Sequence, residues 1–281
     1  MIVVFDVGNT ETTIGLFGGE EIHAHWRVMT GVTRTSDEYG LLLRAMLDSV
    51  AVHAIDGVAI GSVVPAVTGP LADACTEWLG VTPVIVDARS KLPISLDVDE
   101  PLTVGADRLI NTLAASRMYR RDTIVVDLGT ATTFDCITAR GVFLGGVIAP
   151  GVFTAAESLI RRTSKLPATE IVAPERTIGR RTEECIRAGV VFGAAESIDG
   201  IVRRIRAEWP GRAKGKRVKP ICVATGGLAE TFKPLCKSFD FVEPHLTLVG
   251  LRMAYEILKK PVGERAAARR RGPKATRRSR P

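Results

Sequence analysis

Two stretches of the sequence place an acid, a glycine and several hydroxyl groups where an apolar run ends. The first reads Asp6-Val7-Gly8-Asn9-Thr10-Glu11-Thr12-Thr13, and the second reads Asp127-Leu128-Gly129-Thr130-Ala131-Thr132-Thr133. Each predicts a tight β-hairpin whose turn offers backbone N–H groups and hydroxyls, which suit a phosphate, beside an acid that suits the accompanying cation. An ordinary polar turn is the alternative for either stretch taken alone.

The repetition of this pattern favours a functional reading. When the two acids are aligned, the two glycines align as well, and so do Thr12 and Thr133. Two such hairpins, each opening one half of the chain, imply a duplicated domain. We therefore expect an N-terminal lobe over residues 1–120 and a C-terminal lobe over 121–260. Two facing hairpins could hold a triphosphate from both sides.

A third glycine turn follows a short apolar run at Thr225-Gly226-Gly227. Paired glycines let a flat adenine or ribose lie against bare backbone, although a simple tight turn is the alternative. Neither the P-loop pattern nor the Rossmann glycine pattern occurs in the chain. The paired hairpins are therefore the remaining candidates for a nucleotide site.

Phosphoryl transfer also needs a group that orients or deprotonates the acceptor hydroxyl. Asp107 lies near the start of a predicted helix, where the helix dipole favours the anion that can accept a proton. The adjacent Arg108 could bind an anionic acceptor. The alternative is that Asp107 only caps the helix and that Arg108 forms a surface ion pair.

Composition limits the class of protein. The chain has 281 residues, 46% hydrophobic and 25% charged, which is ordinary for a globular protein of one or two domains. No apolar run approaches the roughly 18 residues of a transmembrane helix. The five cysteines are scattered without a C-x-x-C pair, which favours reduced thiols and a cytoplasmic location.

The basic charge is concentrated at the C-terminal end of the sequence. Residues 259–281 contain ten Lys and Arg and one Glu; subtracting this +9 from the total of +7 leaves −2 for residues 1–258. We expect residues 261–281 to be a disordered basic tail. The body therefore offers no argument for nucleic-acid binding, and only the tail could support it.

Alternating apolar patterns predict an α/β order in both halves. A capping box at Thr35-Ser36-Asp37-Glu38 predicts the start of an amphipathic helix through Leu41 to Leu47, with a second helix near Leu71. In the second half we expect a hairpin over 123–138, a long helix over 182–208 and a last helix over 246–259. Residues 88–104 and 211–219 are expected to be irregular.

Several of these strings together resemble the type III pantothenate kinases, members of the acetate and sugar kinase, Hsp70 and actin superfamily. The resemblance covers about residues 1–258 and rests on the two hairpins and on four further strings: Gly105-Ala106-Asp107-Arg108, Gly145 to Gly151, Lys165-Leu166-Pro167 and Thr225 to Ala229. It implies an α/β fold of duplicated ribonuclease-H-like (actin/Hsp70-type) lobes, each a mixed sheet flanked by helices, with an active-site cleft between them.

The resemblance further implies ATP-dependent phosphorylation of the primary hydroxyl of pantothenate to 4′-phosphopantothenate, the first step towards coenzyme A, by a homodimer whose acceptor site lies near the subunit interface. Residues implied to contact ATP are Asp6, Val7, Gly8, Asn9, Thr10, Glu11, Thr12, Thr13 and Thr130. Residues implied to contact pantothenate are Gly105, Ala106, Asp107, Arg108 and Thr182. Asp107 would accept the proton. Mg²⁺ would accompany ATP, and Asp127 would bind a monovalent cation, potassium or ammonium.

The sequence departs from the family pattern at two places. Glu11 stands where relatives carry Asn, and a carboxylate beside a triphosphate needs a compensating cation or an outward orientation. Residues 95–99 stand where the family often has an aromatic residue ahead of the Gly-Ala-Asp-Arg string. Two rival functions stay open: a kinase for another small alcohol, and a non-catalytic relative that acts as a transcriptional accessory factor.

Overall fold

A computed structural model describes residues 1–31, 34–163, 167, 170–210, 212–213, 216–217 and 219–259. The expected disordered tail over 261–281 lies outside these described residues. Elements of the first half are β1 (Ile2–Val7), β2 (Glu11–Gly18), β3 (Glu21–Met29), α1 (Ser36–Asp48), β4 (Gly57–Ser62), α2 (Pro65–Leu79), β5 (Val84–Val86), β6 (Ser95–Leu96) and α3 (Ala106–Tyr119). Elements of the second half are β7 (Thr123–Leu128), β8 (Ala131–Ile137), β9 (Val142–Pro150), α4 (Val152–Arg161), α5 (Thr182–Glu208), β10 (Arg212–Ala213), β11 (Lys216–Arg217), β12 (Ile221–Thr225), α6 (Ala229–Phe232), β13 (Phe241–Val242) and α7 (Leu246–Lys259).

The two large sheets have the same internal order. The first is β3-β2-β1-β4-β5, and the second is β13-β12-β7-β8-β9-β6. Read from β9 to β13, the second sheet repeats the first, with β6 added at one edge. In each sheet three antiparallel strands precede two parallel ones, so that β1 and β7 are central. The duplicated mixed-sheet architecture expected from the sequence is confirmed.

The two hairpins are equivalent, but their turns differ in length. Asp6 pairs with Thr13 across β1 and β2, whereas Asp127 pairs with Thr133 across β7 and β8. The predicted alignment of Thr12 with Thr133 is therefore wrong by one residue. Because the first turn is one residue longer than the second, matching letters from the acid onwards shifts the returning strand out of register.

The central strand β1 is buried on both faces, which explains its unbroken apolar sequence. On one face Val3 and Phe5 pack in a cluster with α1 and α2. On the other face Val4 packs with Leu248 and Leu251 of the C-terminal helix α7. The last helix of the described residues therefore covers the first sheet.

Helix α3 is shared by the two sheets. Ile110 and Leu113 pack in the cluster that contains α7 and the first sheet, while Ala114 and Ala115 pack in a cluster with β7 and β9. The helix also contacts β4, β7, β8 and β9. Its first turn consequently lies at the junction of the two sheets.

Most predicted elements are confirmed, including the capping box, in which Thr35 and Glu38 bond reciprocally, and the bounds of α5 and α7. Three predictions need correction. Helix α2 begins at Pro65 rather than near Leu71, because proline suits the first helical position. Leu41 is 60% exposed rather than part of the apolar face. Strands β6, β10 and β11 occupy segments expected to be irregular.

The described residues contain no helix long and apolar enough to span a membrane.

The close crossing of α3 and α7 yields a stability prediction. A β-carbon on Gly250 would lie 2.5 Å from Cγ2 and 2.6 Å from the carbonyl oxygen of Ile110. We expect Gly250→Ala to lower the free energy of unfolding by about 1–3 kcal/mol through overpacking, detected as a lower thermal midpoint. Gly189→Ala in α5 is the matched control, because nothing lies within 4 Å of its added carbon. It should stabilise the protein by about 0.5–1 kcal/mol. A stabilising Gly250→Ala would contradict the close packing.

Candidate active site

The tips of the two hairpins meet. The Thr130 hydroxyl donates a hydrogen bond to the Thr10 hydroxyl at 2.9 Å. Within each turn the glycine N–H is bonded to the returning strand, from Gly8 to the Glu11 carbonyl and from Gly129 to the Ala131 carbonyl, both at 3.1 Å. The two polar turns therefore meet at their tips, as expected for two cradles that share one ligand.

Backbone contacts fix each tip to its own lobe. The Thr30 N–H donates to the Thr10 carbonyl at 2.9 Å, and the hydroxyls of Thr12 and Thr30 are bonded at 2.8 Å. On the other side the Thr130 carbonyl accepts from the Thr154 hydroxyl at 2.7 Å and from the Gly151 N–H at 3.1 Å. The tips are therefore held in place without using the hydroxyls that face each other.

The nine predicted ATP contacts differ in exposure. Asn9, Thr10 and Glu11 are exposed at the first tip, whereas Val7 and Thr12 are only 1% and 2% exposed. The buried side chains pack inside the first sheet. They shape the turn, and the exposed tip residues offer the polar groups.

Asp6 and Asp127 end the two central strands at equivalent positions. Loss of hydration, followed by the negative charges of Asp127 and Asp107, raises the pKa of Asp6 to about 8. Loss of hydration and the charge of Asp107 raise the pKa of Asp127 to about 6. The carboxylates of these three residues are therefore close enough to repel one another.

Asn111 is a site residue that the sequence analysis missed. Its side chain donates a hydrogen bond to Asp127, which partly offsets the raised pKa of that carboxyl. Its Oδ1 accepts a hydrogen bond from the Thr247 hydroxyl of α7 at 3.0 Å, so the amide is oriented with its N–H towards Asp127. Asn111 lies one helical turn after Asp107, and that i, i+4 spacing was the available signal.

The glycine turn after β12 is also part of this site. Gly226 has φ of +89°, and a β-carbon there would lie 2.5 Å from Oδ1 of Asp127. The preceding Thr225 pairs with Asp127 in the parallel sheet. Glycine is therefore required both by the backbone conformation and by the close approach to the carboxylate.

Asp107 lies in the first turn of α3 and is half-buried. Its Oδ1 accepts a hydrogen bond from the Arg108 N–H at 2.9 Å. A β-carbon on Gly105, the N-terminal cap, would lie 2.4 Å from the same oxygen. The glycine of the Gly-Ala-Asp-Arg string therefore has a local explanation: it leaves room for the carboxylate of Asp107.

Arg108 has a buried partner that the sequence analysis did not identify. Its Nε donates to Oδ1 of Asp135 at 2.6 Å, and its guanidinium lies 4.9 Å from the centroid of the Phe143 ring. Asp135 is completely buried on β8, whereas Arg108 keeps 16% of its side chain exposed. The alternative of a surface ion pair is therefore wrong. A lone acid between Phe134 and Cys136 was the signal available in the sequence.

Glu11 has a cation beside it. Arg27 on β3 places Nη1 3.9 Å from Oε2 of Glu11, and both side chains are more than half exposed. The same Nη1 would lie 3.4 Å from a β-carbon on Gly227, in the glycine turn of the other lobe. Arg27 therefore lies between the first hairpin and the glycine turn, where it can offset the charge of Glu11.

Thr182 is not brought to the acid cluster by any described contact. It is exposed as the first residue of α5. Its contact with an acceptor stays a prediction. The segment in place of the family's aromatic residue forms β6, and Leu96 there pairs with Phe143, the ring under Arg108.

Two solved structures share this fold. The protein from Campylobacter jejuni described as a Baf family transcriptional activator superposes with a TM-score of 0.54 at 16% identity, covering 90% of this chain and 96% of its own. The activator of 2-hydroxyisocaproyl-CoA dehydratase from Clostridium difficile, solved with bound ADPNP, gives 0.51 at 13% identity, covering 96% and 97%. At such identities the likeness concerns the fold alone, and it supports the two-lobed actin/Hsp70-type architecture.

Sequence comparison identifies the family. The chain is 43% identical over 258 residues to the type III pantothenate kinase of Moorella thermoacetica, covering 91% of this chain and 99% of that relative. The family model described as type III pantothenate kinase matches residues 2–204. The chain therefore belongs to the type III pantothenate kinase family.

Proposed function

We propose that the protein transfers the γ-phosphoryl group of ATP to the primary hydroxyl of pantothenate, giving 4′-phosphopantothenate in the first step of coenzyme A synthesis. One observation supports this most strongly: the proposed base Asp107 lies within electrostatic reach of Asp6 and Asp127, at the cleft where Thr10 meets Thr130. The acceptor and the phosphates would therefore meet in one place.

The two hairpins would hold the nucleotide. We assign the contacts with ATP to Asp6 through Thr13 and to Thr130, with the exposed tip hydroxyls and amides nearest to the phosphates. The described residues contain no group of three or more His, Cys, Asp and Glu side chains that could cage a metal ion. Mg²⁺ is usually held by substrate phosphates, water and one or two carboxylates. Asp6 is the proposed carboxylate.

Asp107 would act as general base. As the hydroxyl oxygen of pantothenate forms a bond to the γ-phosphorus, the bond from that phosphorus to the β–γ bridging oxygen breaks and ADP leaves. The hydroxyl proton passes to the carboxylate of Asp107. Gly105 would support this role because its missing side chain leaves room for that carboxylate. Gly105, Ala106, Arg108 and Thr182 would complete the acceptor site.

A monovalent cation would bind at Asp127. The carboxyl there is poorly hydrated and repelled by Asp107, and potassium or ammonium would relieve both effects. The oxygen atoms at this position suit such an ion. The ionised Asp127 carboxylate carries only acceptor oxygens, and Asn111 holds it in one orientation. The ion would also offset the charge of the nucleotide phosphates.

Assembly and location belong to the same proposal. Large apolar side chains are exposed on β9, on α4 and ahead of α5, with Ile148 65%, Phe153 57% and Ile178 84% exposed. Such residues support a homodimer interface near the acceptor site. A monomeric mass in solution, measured by light scattering, would contradict it. The five free thiols are compatible with the cytoplasmic location expected from the sequence.

The rival functions have less support. A transcriptional accessory factor would not need three mutually repelling carboxylates in a cleft, and residues 1–258 carry a net charge of −2. A kinase for another alcohol would keep the same phosphate site. Relatives at about 40% identity share the pantothenate kinase name, which favours pantothenate.

The first test is ADP formation with pantothenate. Asp107→Asn should lower kcat by about 10²- to 10⁴-fold with little change in KM, because it removes the proton acceptor and keeps the shape of the side chain. Asp99→Asn, an exposed acid upstream of α3, is the matched control and should keep wild-type kcat. A fully active Asp107→Asn enzyme would refute the assignment of the base. Wild-type turnover in a buffer free of potassium and ammonium would refute the role given to Asp127.

The raised pKa of Asp6 predicts how stability depends on pH. The folded pKa of about 8 lies above the ordinary value of 3.8. The folded state therefore holds the proton more tightly, and stability present below pH 4 is lost as the pH rises towards 8. We expect the thermal midpoint of the ligand-free wild type to fall over this range. Asp6→Asn should flatten the fall and raise the midpoint at pH 8 by roughly 3–6 °C. Asp73→Asn, an exposed acid on α2, should leave the curve unchanged.

The contact between Arg27 and Glu11 predicts an effect on ATP affinity. Arg27→Gln leaves Glu11 uncompensated, and we expect the KM for ATP to rise about 5-fold, since exposed pairs contribute up to about 1 kcal/mol. Adding Glu11→Gln should restore most of the loss. If the double variant binds ATP no better than Arg27→Gln alone, Arg27 acts on the nucleotide independently of Glu11.

A further inference from the structure

The ion pair between Arg108 and Asp135 is incompletely satisfied. Nε of Arg108 is bonded to Oδ1 of Asp135. Nη2 of Arg108 and Oδ2 of Asp135 are buried and have no hydrogen-bond partner among the described residues. One unused donor and one unused acceptor therefore lie on the same buried pair.

Stability alone does not account for this pair. A buried ion pair often contributes less than apolar side chains of the same volume. Each buried polar group without a partner costs about 1–3 kcal/mol more. An arrangement that leaves two such atoms unpaired suits a site completed by a ligand.

The surroundings of Arg108 hold its guanidinium in one plane. The ring of Phe143 lies under it, at 4.9 Å from centroid to Cζ. Gly146 lies on β9 beside the guanidinium. A β-carbon there would lie 2.6 Å from Nη2 of Arg108 and 1.8 Å from the Phe134 carbonyl oxygen. Glycine at this position leaves room for the guanidinium beside the strand. The bond from Nε to Asp135 leaves Nη2 available to another partner.

The acceptor supplies the group that Nη2 lacks. Pantothenate carries its reacting hydroxyl at one end and a carboxylate at the other. Asp107 and Arg108 are adjacent in the chain; the guanidinium of Arg108 is bonded to Asp135 on β8, whereas the carboxylate of Asp107 lies within electrostatic reach of Asp6 and Asp127. The two side chains can therefore serve the two ends of one acceptor, the aspartate at the hydroxyl and the arginine at the carboxylate.

We propose that Asp135 is a positioning residue, which holds Arg108 by Nε so that Nη2 binds the carboxylate of the acceptor. Asp135 thereby makes the enzyme select an acidic acceptor over a neutral one. This inference rests on the proposed pantothenate kinase activity and adds to it the residue that orients the carboxylate contact.

The test compares pantothenate with pantothenol, in which a neutral alcohol replaces the carboxylate. At saturating ATP, Asp135→Asn should raise the KM for pantothenate by about 10- to 100-fold, the loss expected for one hydrogen bond between charged groups. The KM for pantothenol should change by less than about 3-fold, and kcat for pantothenate should change far less than its KM. Arg108→Gln should show the same selectivity, and the double variant should be no worse than Arg108→Gln alone.

A matched ion pair provides the control for structural damage. Arg206 and Asp240 are 2.9 Å apart, and Asp240 also accepts from the Cys222 N–H, at the end of β12 opposite the cleft. Asp240→Asn should lower the thermal midpoint but leave the ratio of the two KM values at its wild-type level. Should Asp135→Asn fail to fold, Phe143→Leu, which removes the ring under Arg108, should raise the KM for pantothenate selectively.

The outcomes separate the two proposals. Equal increases of KM for both acceptors in Asp135→Asn would assign the residue a purely structural role and overturn the inference. An active wild type with unchanged KM values in Asp135→Asn would overturn it as well, while leaving the kinase activity intact. A wild type that forms no ADP with pantothenate would overturn the proposed function and this inference with it.

Discussion

The burial of several carboxylates close to one another is the constraint on which the rest of the structure depends. Asp6, Asp107 and Asp127 come from the ends of two strands and the start of one helix, and loss of hydration, followed by repulsion from neighbouring carboxylates, raises the pKa of Asp6 and Asp127. Burial and repulsion oppose folding as these carboxyls ionise, and the hydrogen bond from Asn111 to Asp127 offsets this only in part. The apolar packing of both sheets must therefore supply the free energy that holds the acids together, as expected where function opposes stability.

Helix α3 transmits the packing of the two sheets to the positions of the acids. Because its apolar residues belong to the cores of both sheets, its first turn cannot move relative to either hairpin without disturbing a core. Gly250 allows α7 to approach it closely, and α7 in turn orients Asn111 through Thr247. Helix α7, which packs on the first sheet, thus helps to orient Asp127 at the end of β7 in the second sheet.

The features that could be predicted from the sequence are those determined by a local pattern of residues. The hairpins, the capping box and the bounds of α5 and α7 follow from strings of adjacent residues. A local pattern could mark Asp135 and Asn111 as candidates, but it could not predict their contacts, because their partners lie on other elements. The one-residue error in aligning the hairpins has a similar origin. The length of a turn is fixed by strand pairing, and residue types alone cannot distinguish an extra turn residue from an extra strand residue.

The charges around the cleft also explain why single departures from a family pattern can be tolerated. Glu11 adds a negative charge near the proposed triphosphate, yet Arg27 lies beside it on the neighbouring strand. Arg108 and Asp135 form a second such compensation on the acceptor side, with one polar atom of each left over. Arg27 lies on the strand next to that of Glu11, whereas Asp135 lies on β8, against which helix α3 packs. We therefore expect ligand affinity at this site to depend on pairs of residues, so that substituting one member exposes the charge of the other.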